Sequence, residues 1–154
     1  MKRLILIVLG LVPLLVFGFS LNHLIMSVFF DVIPPFMLIG VTVLVVWFGF
    51  GLVSVKLEGS RKAAIVLLNA PAFVILILIL LQELVFRSFW LNIVGFGTQM
   101  FYLPLIGLGS GLSAVLPGIT TFSLICSIAF VLLLLSSFLG RTSAERMSKS
   151  NHER

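Results

Sequence analysis

Nine of the ten Lys and Arg residues fall into three short clusters: Lys2 and Arg3; Lys56, Arg61 and Lys62; and Arg141, Arg146, Lys149 and Arg154. Between the charges lie uncharged runs at 4–30, 32–55, 63–82 and 88–140, of 27, 24, 20 and 53 residues. A helix needs about 20 apolar residues to cross the hydrocarbon core of a bilayer, and each run is long enough. The pattern predicts an all-α polytopic transmembrane helical bundle. Composition agrees: 60% of residues are hydrophobic and 10% charged, against roughly 45–50% and about 25% in soluble domains. The net charge of +5 does not indicate a nucleic-acid partner, because the basic residues flank apolar runs instead of gathering on one accessible face. The partner these flanks indicate is the lipid bilayer.

The spans read as about 4–21, 34–55, 63–84 and 119–139. The first follows Met1-Lys2-Arg3, as a secretory signal would. Its 18 residues from Leu4 to Leu21 exceed a signal core of about 7–15, and no small-x-small cleavage site follows, so it is read as a retained span. Pro34-Pro35 opens the second span, where a missing N–H costs a helix nothing. Four crossings with a cytoplasmic N-terminus put nine basic residues inside and only Arg87 outside, which sets both termini in the cytoplasm and the chain in the plasma or inner membrane. The 53-residue uncharged run also has room for a fifth helix, about 93–116, but five crossings divide the basic residues evenly. Four spans are therefore favoured. Residues 85–117 are then placed outside, as an interfacial or re-entrant segment carrying Phe86, Phe89, Trp90, Phe96, Phe101 and Tyr102, aromatic types that favour the headgroup level. Residues 1–140 form the transmembrane domain and 141–154 a short, basic, frayed cytoplasmic tail.

Few residues offer chemistry. Ionisable groups at the edge of a span are costly and invite a functional reading. Glu83 and Arg87 stand four apart, so on a continuing helix they share a face and form an ion pair. The string Gln82-Glu83-Leu84-Val85-Phe86-Arg87 resembles part of the Glu-Glu-x-x-x-Arg motif of the CAAX-prenyl-protease and bacteriocin-processing family of intramembrane enzymes. That resemblance implies a carboxylate at Glu83 helping to activate water, with Arg87 beside it. The chain departs from the motif at Gln82, because an amide is no general base, and it lacks the family's later histidines, with none between His23 and His152. The resemblance implies at most a degenerate, non-catalytic relative.

Asn69, followed by Ala70-Pro71, interrupts the third span. A carboxamide in hydrocarbon must find partners, so Asn69 marks either a helix–helix joint or part of a solute path. Thr120, Ser123 and Ser127 form a polar stripe on the fourth span, available for interhelical bonds or for back-bonding to the preceding turn. Gly40, Leu44, Trp47 and Gly51 form a packing face on the second span. Gly107-x-x-x-Gly111 has the spacing of a helix-pairing motif but reads better as a flexible turn. Cys126 alone excludes an internal disulfide and a CxxC site. His23 and Asp31 fall short of the three or four ligands of a zinc site, and no metal or cofactor is expected.

The expectation is a non-enzymatic interaction, accessory or immunity-type membrane component, with a membrane-protein partner or a second copy of itself. A small-solute or ion transport component built on Asn69 and the hydroxyl stripe is the alternative.

Overall fold

The computed structural model describes residues 1–28, 33–114 and 121–152, and the regular elements among them are all helical, as the composition requires. Helix α1 spans Lys2–Ser27, α2 Phe36–Leu57 and α3 Arg61–Leu80, which runs on into one π-helical turn, Leu81–Val85. Helix α4 (Ile93–Tyr102) and α5 (Ile106–Ser113) are joined by a 3₁₀ turn, Leu103–Leu105, and α6 spans Phe122–His152. Local chemistry sets several of these starts. The Ser60 hydroxyl accepts from the Ala63 N–H, Asn92 Oδ1 accepts from Gly95 N–H at 2.9 Å, and Thr121 Oγ1 accepts from Leu124 N–H at 3.3 Å. Each satisfies a donor that a first helical turn leaves without an intrahelical partner.

Five stretches are long and apolar enough to cross a membrane: Lys2–Ser27, Phe36–Leu57, Arg61–Val85, Ile93–Ser113 and Phe122–Ser148. Their outward faces carry exposed Val8, Val12, Val45, Val66, Val74 and Leu135. Apolar surface on this scale is what lipid, not water, will cover, and the protein is a multi-pass membrane protein.

The register between α3 and α6 fixes the path of the chain. Arg61 meets Glu145, Asn69 meets Ser137, and Glu83 meets Ser123, so numbers rise on α3 as they fall on α6. The two helices are antiparallel over their length. The end holding Arg61 and Glu145 is called here the charged end, and the end holding Glu83 and Ser123 the aromatic end. Since α3 finishes where α6 begins, the stretch from Phe86 to Thr121 leaves and returns at the aromatic end. Its described contacts stay in that half: Gly18 of α1 sits against the Met100 backbone, Phe19 stacks edge-on with Phe96 at 5.5 Å, Gly107 lies against Phe36, and Gly109 against Ile125.

Packing follows from this path. Helix α1 lies on α3, α2 on α6, and α6 on α3, whereas α1 and α2 barely touch despite being consecutive. The α4–α5 wedge fills the gap between them at the aromatic end, α4 against α1 and α3 and α5 against α2 and α6. The α2–α6 contact is close because Gly51 faces the Ser137 carbonyl and Gly140 the Phe48 carbonyl, leaving no room for a Cβ at either point. Small residues at such points let backbones approach, the main source of helix adhesion in lipid. Of the packing face expected on α2, Gly40, Trp47 and Gly51 are buried inside the chain and Leu44 is half-buried against the core. Leu14, Leu68, Phe101, Leu105 and Leu133 complete the core around Trp47.

Three expectations need correction. Phe101 and Tyr102, expected outside at the headgroup level, are buried in the core at 0% and 1% exposure, because the wedge carries them inward between α1 and α2. Residues 107–111, read as a flexible turn, are helical: the Ser110 and Ser113 hydroxyls donate to the carbonyls of Gly107 and Ser110, and the missing side chains admit Phe36 and Met37. The segment from Arg141, read as a frayed tail, continues α6 to His152, and Arg141 is only 2% exposed. The reason is the loop between α2 and α3. Arg141 Nη1 donates to the Glu58 carbonyl at 2.8 Å and Nη2 to the Gly59 carbonyl at 3.0 Å, so its guanidinium caps backbone acceptors that the short hairpin leaves free.

Candidate functional site

The polar side chains of the interior meet at three levels. At mid-depth, Asn69 joins three helices. Trp47 Nε1 donates to Asn69 Oδ1 at 3.0 Å, and Asn69 Nδ2 donates to Ser137 Oγ and to the Ile65 carbonyl, both at 2.9 Å. The Ser137 hydroxyl in turn donates a hydrogen bond to the Leu134 carbonyl at 3.0 Å. Asn69 is thus the helix–helix joint of its two readings, with donors and acceptor all occupied. Tyr102 reaches the same region from the wedge and donates to the Ala72 carbonyl at 2.8 Å.

At the charged end the Arg141 guanidinium also donates to Glu145 Oε1 at 2.9 Å, and Arg61 pairs with the other oxygen of Glu145. Arg3 pairs with Glu58 at 2.6 Å, tying the start of α1 to the α2–α3 hairpin. The hydrogen bond from Arg3, with help from the Ser60 N–H, holds the Glu58 carboxyl below the usual carboxylate range.

The aromatic end contains the residues singled out by the motif resemblance, and here the geometry departs from expectation. Glu83 and Arg87 do not pair; the ion pairs among the described residues are Arg3–Glu58, Arg61–Glu145 and Arg141–Glu145. The wider π-helical turn displaces the i,i+4 register, and the helix then ends. Phe86 N–H bonds back to the Leu81 carbonyl and Ser88 N–H to the Gln82 carbonyl, with Arg87 between them at φ 50. That is a left-handed helix stop, a position glycine usually fills. Arg87 is therefore swung off the Glu83 face into the exposed turn.

Glu83 instead accepts the backbone N–H of Ser123 at 2.6 Å. One helix thus supplies the N-terminal cap of another. A carboxylate there satisfies a donor of the first turn of α6 and meets the positive end of its dipole. Gln82, fully buried, is equally engaged: its amide donates to Thr98 Oγ1 at 3.2 Å and its carbonyl accepts from Trp90 N–H at 3.0 Å. In the family motif a Glu stands at this place; here the amide fastens the loop and α4 to the end of α3, a two-way task that needs both a donor and an acceptor.

Of the hydroxyl stripe, Thr120 lies outside the described residues. Ser123 lies 3.2 Å from Thr121, Oγ to Oγ1, and Ser127 donates to the Ser123 carbonyl at 2.7 Å, which is back-bonding within α6. Asn69 and these serines do not form one path, since Asn69 is enclosed with Trp47 and Ser137 farther toward the charged end. Gln82 and Arg141 are the structural residues that sequence reading undervalued. Gln82 had a signal, an amide between a long apolar run and an acid; for Arg141 the signal was Gly140 beside it, marking close packing where a tail was assumed.

Compared with family models, curated proteins and solved structures, the chain matches none of them. The Gln82–Arg87 string therefore stands as a local similarity with no family match behind it.

Proposed function

We propose that this protein is a non-catalytic interaction component of the plasma or inner membrane, of the accessory or immunity type, with both termini in the cytoplasm. The observation that carries this reading is the use made of Glu83. The group best placed for chemistry is spent on the Ser123 N–H, while the surface around it is exposed and apolar. Leu84, Val85, Phe86, Phe89, Leu91 and Ile93 stand out at the aromatic end, Ile93 at 84% exposure. An apolar rim with one cation, Arg87, is the composition of a docking face at headgroup level, where aromatic and Arg side chains dominate recognition. The cytoplasmic placement of the charged end rests on the nine-to-one division of basic residues, which follows the positive-inside rule.

The test is site-directed photo-crosslinking in intact membranes from Leu91, with lipid-facing Val66 as the control. A discrete protein adduct from position 91 alone, lost when Phe89→Glu and Ile93→Glu are added to the protein carrying the crosslinker at 91, is the expected result. A chain that runs as a clean monomer with no adduct from either site would sink the reading. Loss of cellular phenotype in a correctly folded Glu83→Gln protein would replace it with an enzymatic one.

A further inference from the structure

Arg87 stands where a glycine would fit without strain. Its φ of 50 is the left-handed stop that ends α3, a conformation that an L side chain takes only at an energetic cost. The turn around it is over-determined. The Trp90 N–H donates to Gln82 Oε1 at 3.0 Å, the Phe86 and Trp90 rings meet at 5.8 Å, and Phe89 packs edge-on against Phe122 of α6 at 5.7 Å. These contacts explain why the strained backbone persists, but not why an arginine occupies it. The side chain is exposed and belongs to no ion pair among the described residues. Glu83, the acid nearest to it in sequence, is already engaged by the Ser123 N–H.

The 25 residues from Arg61 to Val85 run about 37 Å at ~1.5 Å per residue, more than a ~30 Å hydrocarbon core. The turn that follows therefore stands at headgroup level, beyond the reach of acyl chains. Phe86, Leu91 and Ile93 are exposed there, Leu91 fully so. A cation among exposed aromatic and aliphatic side chains has the composition of a protein contact, in which the apolar ring excludes water and strengthens a charge pair formed inside it.

We propose that Arg87 is the charged anchor of the docking face, and that the partner is a membrane protein presenting an Asp or Glu carboxylate, set among apolar side chains, at headgroup level. The inference rests on the docking face proposed above and names what the partner brings to it. The guanidinium fork matches a carboxylate through two parallel N–H bonds. A lipid phosphate offers the same charge, but it stays hydrated and leaves Leu91 and Ile93 uncovered. Charge and apolar complementarity together select the protein carboxylate.

Two measurements on the full chain in intact membranes test this. With the photo-crosslinker at position 91, Arg87→Gly should lower the yield of protein adduct about tenfold, while the purified variant is at least as stable as the unaltered protein. An adduct that survives Arg87→Gly overturns the inference and leaves the docking face standing; no adduct even with Arg87 in place removes both. A less stable Arg87→Gly protein also overturns the inference, because the side chain is then held by a contact of its own fold. The second measurement reads the carboxylate. Arg87→Lys places an amine at the anchor, and a membrane-permeant carbodiimide condenses an amine with a carboxylate in contact with it. The expected product joins position 87 to an Asp or Glu of another membrane protein, identified as a crosslinked peptide by mass spectrometry. A product of phospholipid mass, in which the amine has condensed with a phosphate, overturns the proposal. So does a link to Glu83 or Asp31 of this sequence, within one chain or between two copies, and so does the absence of any product at position 87.

Discussion

The two ends of the bundle are closed by different chemistry. At the charged end, Arg141 gathers the Glu58 and Gly59 carbonyls, Ser54 and Glu145 around one buried guanidinium, and Arg61 and Arg3 add ion pairs at the rim. At the aromatic end there is one engaged carboxylate, and the joints are an amide, a hydroxyl and backbone N–H groups. A cationic hub holds several acceptors through one residue, so its loss exposes them all together. A set of neutral bonds fails one at a time. The charged end is thus a single point of control for the α2–α3 hairpin and α6, whereas the aromatic end is assembled from separable pieces.

The contrast is sharpest in the response to substitution. Arg141→Met keeps the length of the side chain but leaves the Glu58 and Gly59 carbonyls without their charged donor and Glu145 with Arg61 alone; it is expected to cost about 3–5 kcal/mol, two hydrogen bonds to a charged group at about 1.5–3 kcal/mol each. Reversible unfolding in mixed micelles checks it; a loss under about 1 kcal/mol would mean the hub is redundant. Gln82→Leu frees the Trp90 N–H and the Thr98 hydroxyl and is expected to cost about 1–3 kcal/mol, with hydrogen exchange rising in residues 90–98 and not around Asn69. Glu83→Gln keeps an acceptor for Ser123 N–H and gives up the charge at the helix end, so about 0.3–1 kcal/mol is expected; a larger loss would show that the carboxylate serves more than the cap. Arg87→Gly runs the other way. Relieving a left-handed arginine should stabilise by up to about 1 kcal/mol, so an equal or lower stability, measured by the same unfolding, would show that the arginine side chain earns its strained position through a contact in the folded state.

The smallest effect separates the two ends by pH. The carboxyl of Glu58 is depressed in the folded protein by Arg3, so the unfolded chain binds its proton first as pH falls. Its contribution is fully present above the ordinary carboxylate value of 4.5 and is lost as pH drops below that through the folded value. A distance label between α1 and the α2–α3 hairpin should therefore loosen in acid, and Arg3→Gln should remove the dependence.

Much of the fold is legible from charge spacing alone. Helices at Lys2–Ser27, Phe36–Leu57, Arg61–Leu80 and Phe122–His152 cover the apolar runs because a run free of charge and long enough to span has one stable backbone solution in lipid. Asn69 was legible as a joint for the same reason, since an amide in hydrocarbon must be answered. Illegible were the partners that come from another part of the chain. Nothing near Glu83 in sequence announces Ser123, forty residues on, and the expected i,i+4 pairing with Arg87 presumes an α-helical register that the π-helical turn abolishes. Arg141 looked like the first residue of a tail because its acceptors are backbone carbonyls, which no side-chain pattern displays.

The path of the wedge bears on how the molecule is put together and taken apart. An element that enters and leaves by one end can be seated after the long helices have met, and withdrawn again without any of them being uncrossed. Its fastenings to the end of α3, Gln82 with Thr98 and Trp90, act on that single degree of freedom. Among the described elements, the wedge is the one whose withdrawal would uncross no long helix.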